Sequence, residues 1–245
     1  DEIKFGNKLA LNAGFRYTVF LTGDTAYHSP EPRLSMRYQV SENISLEASW
    51  GITSQNLHLL ANSSVGFPTD QWVPATERIK PSLAQQFCLA YKQKIGPLLL
   101  FSVEGFFKRM ENIIEYKENA DLSQYWEEIV LQGNGESKGL EFMLLKEQGK
   151  STGWVAYTLS KSDHMFEEIN YGQTYPYKYD RRHDLKIVFM QQISKRWELG
   201  INWIFSTGYA VTLPLEQVSV PLTELYFYGY GYYSGEYPFY GSKNN

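Results

Sequence analysis

One cysteine, Cys88, stands in the whole chain, which excludes an internal disulfide and a cysteine-rich zinc site. No apolar run approaches the roughly 20 residues that a membrane helix needs. The longest such stretch, Pro97–Phe107, is broken by Glu104 and has the length of a membrane-crossing strand, ~9–11 residues. Positive charge is not in excess: 23 Lys and Arg stand against 27 Asp and Glu, a net charge of -4, so no nucleic-acid partner is expected. Histidine is scarce as well. His28, His58, His164 and His183 show no metal-ligand spacing, so no metal, cofactor or metal-dependent chemistry is expected. The sequence opens on Asp1 without a secretory signal, which points to a processed or truncated piece and leaves location open.

What is present is aromatic and alternating. Aromatics make up 16% of the 245 residues, with 19 Tyr and 6 Trp, residues whose apolar rings and polar tips suit membrane interfaces. Hydrophobic residues reach 43%, yet the mean hydropathy is -0.39, because polar neighbours dilute them. Leu9, Leu11, Ala13, Phe15, Tyr17 and Val19 interleave with Ala10, Asn12, Gly14, Arg16 and Thr18. Leu34–Val40 and Ile44–Thr53 repeat the pattern. Further strands are expected at Ser82–Lys94, Leu98–Met110, Lys138–Glu147, Gly153–Ser160, Asp184–Ser194 and Trp197–Thr207, about nine in all. Successive side chains on a strand point to opposite faces, so each segment has one greasy and one wet face.

Short connections are expected at Ser41–Asn43, Ile95–Pro97, Gln148–Thr152 and Ser194–Arg196, and long ones at Leu21–Pro32, Ser54–Pro81, Glu111–Ser137, Lys161–His183 and from Gly208 onward. Short and long alternate, so an antiparallel meander gathers all long loops at one end, the layout of an outer-membrane barrel. A soluble β-sandwich also alternates apolar and polar residues. Against it stand strands of about ten residues rather than five or six, and loops at or beyond the ~12–15 residues that compact domains rarely exceed. The expected fold is therefore all-β, an antiparallel up-and-down transmembrane β-barrel. Nine strands begin and end pointing the same way, whereas bacterial barrels have even counts, so the chain reads as a fragment of a larger barrel.

Several segments carry a resemblance. Leu9–Tyr17 (LALNAGFRY), Pro32–Tyr38 (PRLSMRY), Leu46–Thr53, Ile79–Ser82 (IKPS), Phe87–Tyr91, Phe106–Ile114 (FFKRMENII), Ser137–Phe142 (SKGLEF), Tyr179–Asp184 (YDRRHD) and Trp203–Gly208 (WIFSTG) occur in one order. In that order they resemble the barrel strands of TonB-dependent outer-membrane receptors, of the Bacteroidetes kind. The resemblance implies a barrel of about 22 strands around a plug domain. Residues 1–245 would then be a partial barrel domain from its C-terminal portion, without plug or closing strands. It implies a Gram-negative outer-membrane location, lipid around the wall, contacts to the plug and the TonB energy-coupling complex made outside this segment, and active import of a scarce nutrient: a metal chelate, a cobalamin or an oligosaccharide. A passive porin, or an adhesin or enzyme carried on a barrel, is the alternative.

No catalytic constellation emerges. Asp163, His164, Glu167 and Glu168 read as a solvated acidic loop, and His183-Asp184 as a strand entry. Charged residues on the polar faces, Arg16, Arg33, Arg37, Glu47, Lys92, Glu104, Lys108, Glu141 and Lys186, are expected to line a lumen, because Arg or Lys facing lipid at mid-bilayer costs ~2–4 kcal/mol. There they either pair with neighbouring strands and a plug or mark a ligand path. Ligand contacts are expected in the aromatic loops, at Trp72, Trp126, Tyr175, Tyr177, Tyr179, Tyr230 and Tyr232, where Tyr and Gly give rigid amphipathic contacts on an adaptable backbone. The other reading of these loops is mutual packing that caps the barrel.

Overall fold

A computed structural model of the chain describes residues 1–60, 70–117, 120, 124–208 and 210, and the backbone of 214–218 and 237–240. In chain order the strands are β1 (Glu2–Phe5), β2 (Leu9–Thr22), β3 (Thr25–Ser41), β4 (Ile44–Gln55), β5 (Leu57–Leu60), β6 (Gln71–Pro74), β7 (Ser82–Ile95) and β8 (Leu99–Tyr116). There follow β9 (Val130–Lys146), β10 (Ser151–Met165), β11 (Tyr175–Pro176), β12 (His183–Gln192), β13 (Glu198–Ser206), β14 (Pro214–Val218) and β15 (Tyr237–Tyr240). Among the described residues the only helical turns are short 3₁₀ pieces at Trp126–Glu128 and Asn170–Gly172.

One antiparallel meander dominates, in the order β1-β2-β3-β4-β7-β8-β9-β10-β12-β13, with β11 adding to β10. The two ends of the path, β1 and β13, do not pair with each other, so the barrel wall is open. β5 with β6, and β14 with β15, form separate hairpins.

All nine expected strands are present, most of them longer than the alternation alone marked. Beyond the short strands β5, β6, β11, β14 and β15 and the strand extensions inside expected loops, two features differ from expectation. β1 is an additional strand, so the path has an even number of members. The expected long loop at Leu21–Pro32 is a tight hairpin: β2 and β3 stay paired up to Thr22↔Thr25, and the chain reverses at Gly23-Asp24. Pro30 and Pro32 suggested a loop, but the ladder between β3 and β4 begins only at Arg33↔Gly51. That half of β3 is an edge, where a missing N–H costs no ladder bond. Gly23 takes a positive φ of 52°, and the tip is tied down by the Asp24 amide donating to Glu77 Oε1 at 2.6 Å and by Tyr27 Oη donating to the Thr76 carbonyl at 2.9 Å.

The registers carry the greasy face across the whole sheet. One row runs Leu9, Tyr38, Leu46, Tyr91, Val103, Phe142, Tyr157, Leu185, Phe205. A second runs Ala13, Leu34, Trp50, Phe87, Phe107. Among the described residues no layer covers this face: Leu89 is 64% exposed and Phe15 70%. Apart from Ala90, every buried hydrophobic side chain among the described residues sits at the long-loop end, in clusters around Leu60, Val73, Ile79, Ile114 and Val130, and around Phe166, Ile169 and Tyr175. A sandwich would bury its alternating face; here that face is left out and the core sits above the wall. An apolar face of this extent marks an interaction surface.

Candidate functional site

The opposite face gathers the polar residues. Arg37, Glu47, Ala90, Glu104, Glu141, Thr158, Asp184 and Ser206 form one cross-strand row. Lys92 Nζ donates to Glu47 Oε2 at 2.6 Å, Arg37 lies 3.7 Å from Glu47, and Lys186 lies 3.0 Å from Asp184. Higher up, Arg16 meets Glu31 at 2.7 Å with Arg33 at 3.5 Å, and the Glu31 side chain is fully buried between them. Arg16, Arg37, Glu47, Glu104, Lys108, Glu141 and Lys186 therefore share one face, the one opposite the apolar rows. Glu104 and Glu141 stand directly across from each other on β8 and β9, an arrangement that repels unless a cation sits over it.

The long-loop end is a layered cap. The β5–β6 hairpin packs on the extended ends of β8 and β9 through the cluster Leu60, Val73, Ile79, Ile114 and Val130, with Trp126 and Tyr116 against it. Trp126 is thus partly absorbed in packing, whereas Trp72 on β6 is well exposed. Tyr175 is 3% exposed inside the second cluster and offers almost no surface to a ligand. Tyr177 stacks on His164 with ring centroids 4.1 Å apart. Burial, with the Glu115 carboxylate adding to it, pushes its phenol up to about 12, so Tyr177 stays a hydrogen-bond donor at neutral pH. Tyr179 and Lys178 both bind Asp70, the tyrosine through a short hydrogen bond and the lysine at 3.0 Å, which fastens the loop after β11 to the segment entering β6. The Asp70 hydrogen bond raises the Tyr179 phenol pKa above its ordinary value. Tyr230 and Tyr232 lie outside the described residues.

A cavity of ≈ 310 Å³ opens beneath the hairpin, lined among others by His58, Leu83, Lys108, Ile113, His164 and Tyr177. On sequence Lys108 is expected to line the lumen, in pairing or on a ligand path, whereas His58 is no candidate for ligand contact. The signal for His58, a lone polar residue between Leu57 and Leu59, is visible only once the hairpin is seen to fold over the wall. Burial lowers the His58 pKa, opposed in part by a hydrogen bond to the Lys80 backbone. An imidazole whose folded pKa lies below its unfolded value binds fewer protons than the unfolded chain as pH falls through the ordinary histidine range near ~6.5, so the packing it supports is present above that pH and lost below it. The protection factors of the Leu57–Leu60 amides in the full-length protein, taken against intrinsic exchange at each pH, are expected to fall between about pH 7 and pH 5, and His58→Asn to flatten that dependence.

Among the described residues no group of three or more His, Cys, Asp or Glu side chains gathers to hold a metal ion. His183 Nδ1 is bonded to Tyr157 Oη at 2.7 Å, and Asp184 is bonded to Lys186 and Ser206, a pairing that joins strands.

Comparison with known families matches residues 1–244 to the family described as TonB dependent receptor-like, beta-barrel. Among solved structures, the chain is similar to the ferric-catecholate import receptor Fiu from E. coli K12, at 15% identity and a TM-score of 0.55, covering 82% of this chain and 32% of that one. It is also similar to the FpvAI–pyocin S2 complex, at 13% identity and a TM-score of 0.59, covering 98% of this chain and 30% of that one. The chain thus spans about a third of each structure it matches, and at these identities the likeness concerns the fold. No curated protein matches the sequence. The chain belongs to the TonB-dependent receptor β-barrel family.

Proposed function

We propose that this chain forms part of the barrel wall and extracellular face of an outer-membrane receptor that imports a scarce nutrient, of the metal-chelate, cobalamin or oligosaccharide class, using energy delivered through TonB. The observation that carries the reading is that, among the described residues, the apolar face runs uncovered across the sheet while the buried clusters sit at the long-loop end. In this reading lipid covers the apolar rows and the polar row lines the lumen. The opposed Glu104 and Glu141 then call for a cationic segment in that lumen, which a plug domain supplies.

The test uses the full-length receptor in its own cell. It is expected in the outer-membrane fraction, and loss of either the receptor or TonB is expected to abolish growth on the same limiting nutrient. Growth that depends on the receptor but not on TonB would instead indicate a passive channel.

A further inference from the structure

The apolar row Leu34, Trp50, Phe87, Phe107 runs on into charge: Phe107 pairs with Lys138 on β9, and Lys138 with Lys161 on β10. These two lysines therefore lie on the apolar face, directly opposite each other, while the charges of the polar row lie on the other face. Leu140 and Leu159 precede them on the short-turn side, and the pair Glu136↔Asp163 follows on the long-loop side. The lysines are thus the first charges met on β9 and β10 on leaving the apolar rows. Like charges directly opposite on a sheet repel. Glu136 at 2.8 Å from Lys138 and Asp163 at 2.6 Å from Lys161 offset this only in part, because both lysines are half-exposed and an exposed ion pair is worth ~0–1 kcal/mol. An ammonium carries several donors, so each lysine can serve a further acceptor without giving up its carboxylate.

Lys138 and Lys161 line a groove of ≈ 920 Å³ together with Arg182, whose guanidinium lies 3.6 Å from Asp180. The rest of the lining is mostly apolar. Its row Met36, Ala48, Leu89, Gly105, Leu140, Leu159 dips at Ala48 and Gly105, where the side chains are smallest. An apolar trough bordered by two adjacent ammonium groups and a guanidinium complements an amphiphile, with hydrocarbon along the trough and a compact anion at its head. A phosphate accepts from both ammonium groups at once through charge-assisted bonds. Free phosphate would leave the trough without an occupant. We propose that Lys138 and Lys161, with Arg182 beside them, form a headgroup site for a phosphate-bearing lipid of the surrounding membrane, whose acyl chain lies along the Ala48–Gly105 trough. The proposal rests on the reading above that lipid covers the apolar rows.

Full-length receptor in detergent, supplied with dioleoyl phosphatidic acid, dioleoylglycerol or glycerol 3-phosphate and followed by native mass spectrometry, tests it. The parent is expected to retain the phosphatidic acid about tenfold better than dioleoylglycerol, the scale of a charge-assisted contact, and to retain no glycerol 3-phosphate. The double variant Lys138→Gln, Lys161→Gln should hold both lipids alike, whereas Lys138→Arg with Lys161→Arg should keep the preference. Heat-modifiable migration on gels reports whether each variant is folded; if the double glutamine variant is not, Lys161→Gln alone decides, with an expected loss of preference of at least threefold. Equal retention of the two lipids by the parent, retention of neither, or a preference unchanged in the glutamine variants would overturn the site. Glycerol 3-phosphate held as well as the phosphatidic acid would overturn it too, since the phosphate would then bind without its chains. A receptor that fails these measurements yet is recovered in the outer-membrane fraction loses the headgroup site alone. One recovered outside that fraction loses the membrane reading on which the site rests.

Discussion

Leu89→Arg in the full-length receptor is expected to lower its unfolding free energy in lipid vesicles by ~2–4 kcal/mol, while Asn12→Arg changes it by no more than about 0.5 kcal/mol. Both positions are exposed in this structure, so a rule based on exposure alone predicts two mild substitutions. The faces separate them. Leu89 pairs with Ala48 and Gly105 in the apolar rows, between Tyr91 on one side and Phe87 on the other. An arginine there must hold its charge in hydrocarbon or drag water in with it. Asn12 pairs with Ser35 on the opposite face, where Arg37 and Glu47 already sit in the next row. Urea unfolding in vesicles measures both variants against the parent. An apolar face left in water would tolerate both alike, so equal small effects would remove the lipid assignment.

Much of this was legible in the sequence because the alternation is local. Each of Leu9–Val19, Leu34–Val40 and Ile44–Thr53 announces its own two faces, and no distant contact is needed to read them. The hairpin at Gly23-Asp24 was hidden because Ser29, Pro30 and Pro32 are turn and loop formers. Their acceptance in strand depends on β4 leaving the side of β3 above Arg33, a fact of register that composition does not contain. β1 was missed for a similar reason: Glu2–Phe5 is four residues long and becomes a strand by pairing with Leu9–Asn12.

The site was legible in part. The charged residues expected at the lumen fall on one face of the sheet, since a period of two assigns every member once one is placed. The aromatic loop residues sorted poorly, because a Tyr in a loop looks the same whether it reaches outward or inward. Tyr175 fills a core with Phe166 and Ile169, Tyr177 is fixed against His164, and Trp72 stays in the open. The segment around Leu57-His58-Leu59 reads as an ordinary apolar stretch, and its histidine acquires meaning only when β5 folds over β8.

Gly153→Ala is expected to do the most local damage, at least ~3 kcal/mol, although it adds one methyl group near the end of a strand. Gly153 has φ +147°, a conformation that residues with a Cβ rarely adopt, and a Cβ built there would stand 2.1 Å from the Val188 carbonyl oxygen and 2.9 Å from Phe189 Cα. Both obstacles are backbone atoms of β12, so no side chain can swing aside. Gly153 is also paired with Lys146 on β9, which blocks retreat in the other direction. Relief therefore requires β10 and β12 to part at the start of their ladder, where Ser151↔Gln191 and Thr152↔Met190 hold them together. Gly14→Ala supplies the contrast: it is also a strand glycine, but the nearest atom to its added Cβ is Arg33 Cβ at 4.0 Å, ordinary contact. In the full-length receptor, the folded fraction read from heat-modifiable migration should fall sharply for Gly153→Ala and hold for Gly14→Ala. If the two variants fold equally well, the close approach of β10 to β12 is not what sets this junction. If only Gly153→Ala fails, the glycine is there to let the strands meet.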